Sequence, residues 1–370
     1  MCFFGNDSTN DVPRVLTRTS SSALPEQIEH FLANGYVKLT GCFTRARAAE
    51  WCKELWVRLG MDPNDSTTWT AERTNMPVLR HFDVAELSPK ARAYAFQFPY
   101  FAWNAILDLV GGPTRVDPAA SAWNDGFIVN LGPPTPTTPS AFTDTVLPSP
   151  TPPTDILNAT LAARAREINN WHVDGDFFVH FLDSREQALL VVPLLSDIAP
   201  GGGATFIAPD GLGRVAAYLR AHPEGVVPKD RTWTPTTHTD ATTADEGQVW
   251  DHVVEAHKCQ RFVELTGEVG DVVLLHPFML HSASPNLLRV PRVITNPPVA
   301  LAAPFNYDRA SEREYSVVER ATLRALGVER CEFVITGERK EVVPARVMIW
   351  DEMAEKERKR SERRQTRKLC

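Results

Sequence analysis

The run Trp171-His172-Val173-Asp174-Gly175 is answered far downstream by His281 and then by Arg292. Two imidazoles and one carboxylate can hold one face of a divalent ion and leave the other face open. This is the facial ligand set of non-haem Fe(II) oxygenases. An arginine beyond the second histidine offers a planar fork for the far carboxylate of a 2-oxo acid, and it stays charged when buried. Brought together by a fold, these residues would form an oxygen-activating centre.

The His-x-Asp pattern alone decides little. It occurs at His81-Phe82-Asp83, His172-Val173-Asp174 and His238-Thr239-Asp240, and composition predicts roughly one such match by chance. Context separates the three. In an extended segment, residues two apart share a face, so His172 and Asp174 can chelate one ion. Gly175 lets the backbone bend away, and Phe177-Phe178-Val179 supplies a buried wall. His81 precedes a helix-like stretch and most of the strands, and His238 sits in a polar loop. Both read as exposed or structural.

The third ligand has to come from another strand. His281 closes a hydrophobic approach through Val272–Leu275 and Pro277-Phe278-Met279-Leu280. A buried histidine needs a hydrogen bond or a metal. His276, at a His-Pro break, and His180, about six residues of strand away from the pair, read as core or supporting residues. Beyond His281, Arg292 opens the apolar strand Val293-Ile294, from which its head can reach back. Arg289 falls on the preceding turn. Spacing alone leaves a surface salt bridge open for either arginine.

These residues need a scaffold. Pro25–Ala33 reads as a helix ended by Asn34-Gly35, followed by a strand at Tyr36–Leu39. Thr44–Leu59 reads as one amphipathic helix, Ser88–Leu109 as mostly helical, and Gly126–Leu131 as strand. A Pro/Thr/Ser-rich run over Gly132–Thr154 excludes core helix and central strand. It is either a surface insertion or a flap over a pocket. Ala162–Ile168 reads as a short helix. Strands are then expected at Phe177–Leu182, Ala188–Leu195, Ala204–Ala208, Arg261–Leu265 and Asp271–Leu275. A second insertion, Asp210–Lys258, has no strong period. Ser311–Leu326 reads as a helix, and the tail from Asp351 is helical in propensity and basic. The domain reading is a flexible tail at 1–22, a barrel domain at 23–300 with insertions at 132–154 and 210–258, a helical extension at 301–350 and a basic tail at 351–370. Helices first, then many short strands, point to a barrel or double-sheet jelly roll, mainly β with flanking helices.

Bulk properties exclude some classes. The net charge of −7 gives the body no attraction to nucleic acid or anionic membranes. No apolar run is long enough to span a bilayer, and the N-terminus has no secretory pattern. Six scattered cysteines without a C-x-x-C pair read as reduced, intracellular thiols. The expected location is cytoplasmic, with the basic tail leaving a nuclear one open. Glu355, Glu357 and Glu362 interleave the tail's bases, which favours a solvated helix over a nucleic-acid arm.

The ordered blocks resemble the phytanoyl-CoA dioxygenase family of Fe(II)/2-oxoglutarate-dependent oxygenases. They are the His172 run, Leu195-Ser196-Asp197, Gly201-Gly202-Gly203-Ala204-Thr205-Phe206-Ile207-Ala208-Pro209, Gly270-Asp271-Val272-Val273, and His281-Ser282-Ala283-Ser284-Pro285-Asn286 with Arg292. The resemblance covers about Pro25 to Val299, broken by the two insertions. It implies a double-stranded β-helix, a cupin-like jelly-roll barrel. It implies Fe(II) held by His172, Asp174 and His281, with 2-oxoglutarate and O2 as co-substrates. Arg292 would pair with the far carboxylate of 2-oxoglutarate, and Asn130 and Thr205 fall where such proteins place co-substrate contacts. Ala283 stands where many members carry a hydroxyl, with Ser282 and Ser284 beside it. Because Asp174 is retained, halogenation is disfavoured. The implied reaction is hydroxylation or desaturation of a small, largely apolar organic metabolite. Two other readings stay open: an oxygenase acting on nucleic acid or a nuclear protein, and a non-catalytic barrel that binds a ligand or partner.

Overall fold

The computed structural model of the chain describes residues 25–84, 102–133, 154–227, 251–344 and 346–369. The N-terminal elements follow the apolar pattern. Helix α1 (Pro25–Asn34) buries Phe31 and Leu32 and gives way to β1 (Tyr36–Leu39). The single helix expected over Thr44–Leu59 is instead two, α2 (Arg45–Trp51) and α3 (Leu55–Leu59). The Trp51 carbonyl leaves the helical ladder and accepts from Arg80 Nη2 at 2.9 Å. Next come β2 (Arg73–Asn75), β3 (His81–Asp83), α4 (Ala102–Val110), β4 (Ala122–Asn124) and β5 (Ile128–Asn130). The start of the Ser88–Leu109 helix and most of the Pro-rich run lie outside the described residues. The short helix expected at Ala162–Ile168 begins earlier, as α5 (Thr154–Arg166).

The remaining elements are β6 (Leu189–Pro193), β7 (Thr205–Ala208), α6 (Leu212–Ala221), α7 (His252–His257), β8 (Val263–Leu265), β9 (Val272–Leu275), β10 (Leu280–Ala283), β11 (Arg292–Ile294), β12 (Pro298–Val299), α8 (Val317–Leu326) and α9 (Arg346–Leu369). The strand expected at Phe177–Leu182 is absent. Phe178 and His180 make single bridges to two different partners, Glu341 and Val226, because Gly175 turns the chain beforehand. The second insertion carries two helices that its sequence did not announce. In α6, Leu212, Val215, Ala216 and Leu219 are buried at helical spacing.

Ten of the strands build two sheets, and β3 pairs with β4 in a separate two-stranded ribbon. One contains the orders β1-β9-β6-β12 and β11-β5-β2. Leu194 bridges Ile294 in the register that pairs Leu190 with Pro298, so β11 and β12 form one run along β6 and join the two sets. The other sheet runs β10-β7-β8, and His172 extends it by bridging His281 on the open side of β10. From β5 to β11 the chain crosses between the sheets repeatedly, with His172 on the second, β6 on the first, β7 and β8 on the second, β9 on the first and β10 on the second.

Leu190, Val192, Val273, Leu275 and Ile294 of the first sheet pack with Ile207 and Leu265 of the second. The alternate residues Leu189, Val191, Val272 and Leu274 pack the other way, with Phe31, Ile106, Leu109 and Val318 of the helices. Each buried aliphatic side chain contributes on the order of 1.5–3 kcal/mol. Strand alternation thus gives one sheet face to the helices and the other to the interior where the site lies.

Helix α8 begins six residues later than the expected Ser311. A reciprocal capping box fixes its start: Ser316 Oγ accepts from the Glu319 amide at 3.1 Å, and Glu319 Oε2 accepts from the Ser316 amide at 2.6 Å. Helix α9 crosses the expected boundary at residue 350 and docks on α3. Arg58, 2% exposed, donates Nε to Glu357 at 2.7 Å and pairs with Asp125 at 2.9 Å. On its outer side, Lys356 pairs with Glu352, and Arg358 and Lys359 pair with Glu355. No helix among the described residues is long and apolar enough to cross a membrane.

Candidate metal centre

His172 and His281 meet as backbone partners. Each amide donates to the other's carbonyl, at 3.0 and 2.9 Å. This antiparallel bridge sets the two rings side by side, with centroids 4.3 Å apart. Each ring is oriented by a carbonyl two residues earlier. His172 Nδ1 donates to Asn170 O at 2.7 Å, and His281 Nδ1 donates to Met279 O at 2.9 Å. A carbonyl can only accept, so both rings carry a proton on Nδ1 and turn Nε2 toward Asp174.

Asp174 completes the group. Its Oδ1 lies 3.3 Å from His172 Nε2 and 3.6 Å from His281 Nε2. An ion with bonds of about 2.1 Å holds adjacent ligands about 3 Å apart. Among the described residues, His172, Asp174 and His281 form the one cluster of three such donors. Burial would raise the Asp174 carboxyl, but the charge of a protonated His281 ring and hydrogen bonds from His172 and His281 hold it well below the usual carboxylate range. The ion-facing group is therefore a carboxylate. His281 is buried while the His172 side chain is 43% exposed, so the cluster opens on the His172 side.

The turn after Asp174 needs glycine. Gly175 has φ +113°, and a Cβ there would stand 2.6 Å from the Phe178 ring and 2.8 Å from His180 Nε2. His180 Nε2 donates to the Gly175 carbonyl at 2.6 Å, and its ring stacks on Phe178 at 4.3 Å. His180 therefore buttresses the turn. Burial holds its pKa near 4, so it stays neutral at physiological pH. His276 is core: Nε2 donates to Thr322 Oγ1 at 2.9 Å, and Nδ1 accepts from the Phe278 amide at 3.1 Å. His81 is exposed on β3, and His238 lies outside the described residues.

Arg292 is 1% exposed on β11. By alternation it shares a face with Ile294, which packs against Ile207, the strand partner of His281. Its Nε donates to Gly203 O at 2.8 Å and its Nη1 to Ile128 O at 3.2 Å, but Nη2 is buried with no partner among the described residues. A buried guanidinium with an unused donor marks a place for an anion, because an unsatisfied charged group is costly. Burial, with Arg73 nearby, lowers its pKa to about 9, still charged at neutral pH. Gly203 lets this region close up: it has φ +78°, and a Cβ would stand 2.6 Å from Asn130 Nδ2.

Asn130 is buried opposite Arg292 and donates to Ser284 O at 2.9 Å. Thr205 is paired with Ala283. Both expected co-substrate contacts are thus on strands that border the centre. The flanking hydroxyls are spent elsewhere. Ser284 Oγ donates to Ala204 O at 2.8 Å, and Ser282 Oγ donates to the Asn170 side chain. Neither replaces the hydroxyl that Ala283 lacks. Arg289 adopts φ +52° and donates to Pro133 O, so it ties down the turn.

Two residues at the centre escaped the sequence reading. Asn296 Nδ2 donates to Asp174 Oδ2 at 2.8 Å, fixing the carboxylate from the far side. The signal was available: 292, 294 and 296 alternate along one strand. His252 opens α7. Burial, then the charges of His172, His180 and His281, depress its pKa to about 3. It lies in a segment whose sequence has no period, and nothing in the sequence singled it out. Against the centre lies a cavity of about 380 Å³ lined by Arg73, Glu167, Ile168, Asn169, Asn170, Ala283 and Pro285. That lining is mixed, with Ile168, Ala283 and Pro285 apolar and Arg73, Glu167, Asn169 and Asn170 polar.

No family model and no curated protein matches the chain. Among solved structures, the chain is similar to the non-heme alpha ketoglutarate dependent carbocyclase SnoK from nogalamycin biosynthesis. Identity is 14% over 77% of this chain and 87% of that chain, with a TM-score of 0.36. It is also similar to HygX from Streptomyces hygroscopicus with nickel and 2-oxoglutarate bound, at 13% identity over 78% of this chain and 90% of that one, TM-score 0.35. A third is a hypothetical protein from Escherichia coli, at 17% identity, 83% and 82% coverage and TM-score 0.36.

Proposed function

We propose that this chain is an Fe(II)- and 2-oxoglutarate-dependent dioxygenase acting on a small organic metabolite, built on a double-stranded β-helix. One observation carries the reading: two Nε2 atoms and one carboxylate oxygen converge, while a buried arginine of the facing strand keeps Nη2 unpaired. The donor set fits a ferrous ion, and three protein ligands leave open positions for a chelating co-substrate and oxygen. The two-sheet crossing pattern, with His172 and His281 on adjacent lines of one sheet and Arg292 on the other, supports the β-helix.

Bound iron would supply oxygen activation, coupled to decarboxylation of 2-oxoglutarate to succinate and CO2 and to oxidation of a substrate C–H bond. The chain's own residues do the positioning. His172, Asp174 and His281 set the ion, and the Asn170 and Met279 carbonyls fix the ring tautomers. Asn296 fixes the carboxylate. Arg292 receives the distal carboxylate of 2-oxoglutarate through Nη2, with Asn130 and Thr205 bordering the same space. Burial of Arg292 strengthens that contact by excluding water. Hydroxylation and desaturation share this arrangement, and the substrate's placement decides between them.

The test is release of succinate from 2-oxoglutarate with and without Fe(II). Wild-type protein releases succinate only with the ion, and Asp174→Ala abolishes the release. Full turnover by Asp174→Ala would refute the proposal.

A further inference from the structure

Three strands carry an aligned row of polar side chains. Arg292 on β11 is the register partner of Asn130 on β5, and Asn130 is the register partner of Arg73 on β2. Directly opposed residues project from one face of a sheet, so Arg73 belongs to the same face as Arg292. Two steps across a sheet separate their Cα atoms by roughly 10 Å. Arg292 is sealed in the interior. Arg73 stands on an edge strand and is exposed.

Arg73 lines the 380 Å³ cavity, whose size is that of a ligand pocket. The cavity reaches chain neighbours of both histidines. Ala283 is two residues beyond His281 on β10, roughly 7 Å along the strand and on the same face. Asn170 supplies the carbonyl that orients His172. A molecule filling the cavity therefore lies against the open, His172 side of the metal centre.

Among the described residues, no side chain or carbonyl engages the Arg73 fork at hydrogen-bond length. Among the described residues its one ion pair joins Nε to the neighbouring Glu72 at 3.9 Å, beyond hydrogen-bond length. Glu167 lines the same cavity but makes no ion pair with Arg73 among the described residues, so it does not neutralise the fork in place. Arg292 and Arg73 are thus two cations at different depths, one with a single unused donor and one with a free fork.

We propose that this cavity is the primary-substrate subsite and that Arg73 binds an anionic group there. The substrate is accordingly a small organic acid, a carboxylate or phosphate monoester, whose oxidised carbon lies several bonds from the acid group. This rests on the dioxygenase reading above. It adds a charged anchor to the small metabolite of that reading. Asn169 and Asn170 offer amide groups to the middle of such a molecule. A guanidinium paired with a carboxylate is a charge-assisted contact, so its loss is expected to weaken binding by about 10-fold or more.

The experiment uses the full chain with Ni(II) and saturating 2-oxoglutarate, so that Arg292 is occupied. Hexanoate, phenylacetate and phenyl phosphate are compared with hexanamide, phenylacetamide and phenol by ligand-observed NMR titration. The acids are expected to bind more tightly than their neutral counterparts. Arg73→Ala should weaken the acids 10-fold or more and remove the preference, and Arg73→Lys should restore part of it. The Kd for 2-oxoglutarate should stay within twofold in both variants. Equal binding of acids and neutral counterparts overturns the proposal, as does wild-type acid binding by Arg73→Ala. A matching loss of 2-oxoglutarate affinity in Arg73→Ala also overturns it, because Arg73 would then serve the co-substrate. Failure of wild-type protein to bind 2-oxoglutarate would instead strike the dioxygenase reading, and acid binding that still depends on Arg73 would survive it.

Discussion

Replacing Asn296 by alanine isolates the support of the Asp174 carboxylate. Asp174 has two oxygens with separate tasks: Oδ1 faces the histidine rings at 3.3 and 3.6 Å, and Oδ2 accepts from Asn296 at 2.8 Å. The Asp174 side chain is 17% exposed, so water replaces the lost donor poorly. A hydrogen bond to a charged group contributes about 1.5–3 kcal/mol. Partners of metal ligands typically change affinity or activity by about 10–100-fold. The two magnitudes agree, so Asn296→Ala is expected to raise the Kd for Co(II) or Fe(II) about 10–100-fold. Asn296→Asp, which sets a second carboxylate against Oδ2, should lose more at neutral pH. The assay is competition with a chromophoric chelator under anaerobic conditions, with circular dichroism as the folding control. A Kd for Asn296→Ala within twofold of wild type, in a folded protein, would show that Asp174 needs no outer partner and would refute the reasoning.

Arg292→Lys should raise the KM for 2-oxoglutarate about 10-fold or more while leaving the metal Kd unchanged, because a point charge replaces a planar fork; steady-state kinetics beside a metal titration check both. Burial holds His276 near pKa 3 against its usual 6.5, so the folded state binds fewer protons than the unfolded chain between those values. Stability should therefore rise with pH across that window and fall, by up to a few kcal/mol, as pH drops toward 3; urea unfolding at pH 4.5 and 7 should show a smaller difference in His276→Gln. Arg58→Ala leaves Glu357 and Asp125 without their buried partner and should cost about 3–5 kcal/mol, read as earlier urea unfolding with faster proteolysis in α9. Gly175→Ala forces a side chain into the Phe178 ring at a positive φ, and the strained backbone should cost on the order of 1–3 kcal/mol; calorimetry and the metal titration should both report the loss.

Much of the centre was legible because its residues sit on strands whose apolar alternation is strong. His281 follows the apolar strand β9 as the second residue of β10, and Arg292 begins β11, so side chains of known polarity stood out at buried positions. His172 was harder, since the residues around it form a single bridge and not a ladder. What singled it out was the glycine and the aromatic wall that follow. Where the reading failed, tertiary contacts overrode local pattern. Phe177–Leu182 is β-rich in composition, yet Gly175 turns it so that Phe178 and His180 bridge two different partners and no strand forms. Thr44–Leu59 has helical spacing throughout, yet Arg80 takes the Trp51 carbonyl and breaks it. Asn296 follows the alternation of β11 but carries no charge to draw notice. Helix α9 docks through one buried ion pair, Arg58 with Glu357, whose partners are far apart in sequence.

The most direct test of the account is an anaerobic titration of the full chain with Fe(II) and then 2-oxoglutarate, followed by the visible absorption that a ferrous ion gains when a 2-oxo acid chelates it. The account predicts one Fe(II) and one 2-oxoglutarate per chain. His281→Ala should abolish the absorption, and Arg292→Lys should require at least 10-fold more 2-oxoglutarate to reach it. A chain that takes up no stoichiometric Fe(II), or a His281→Ala variant that develops the absorption as wild type does, would contradict the assignment of these residues to a metal centre.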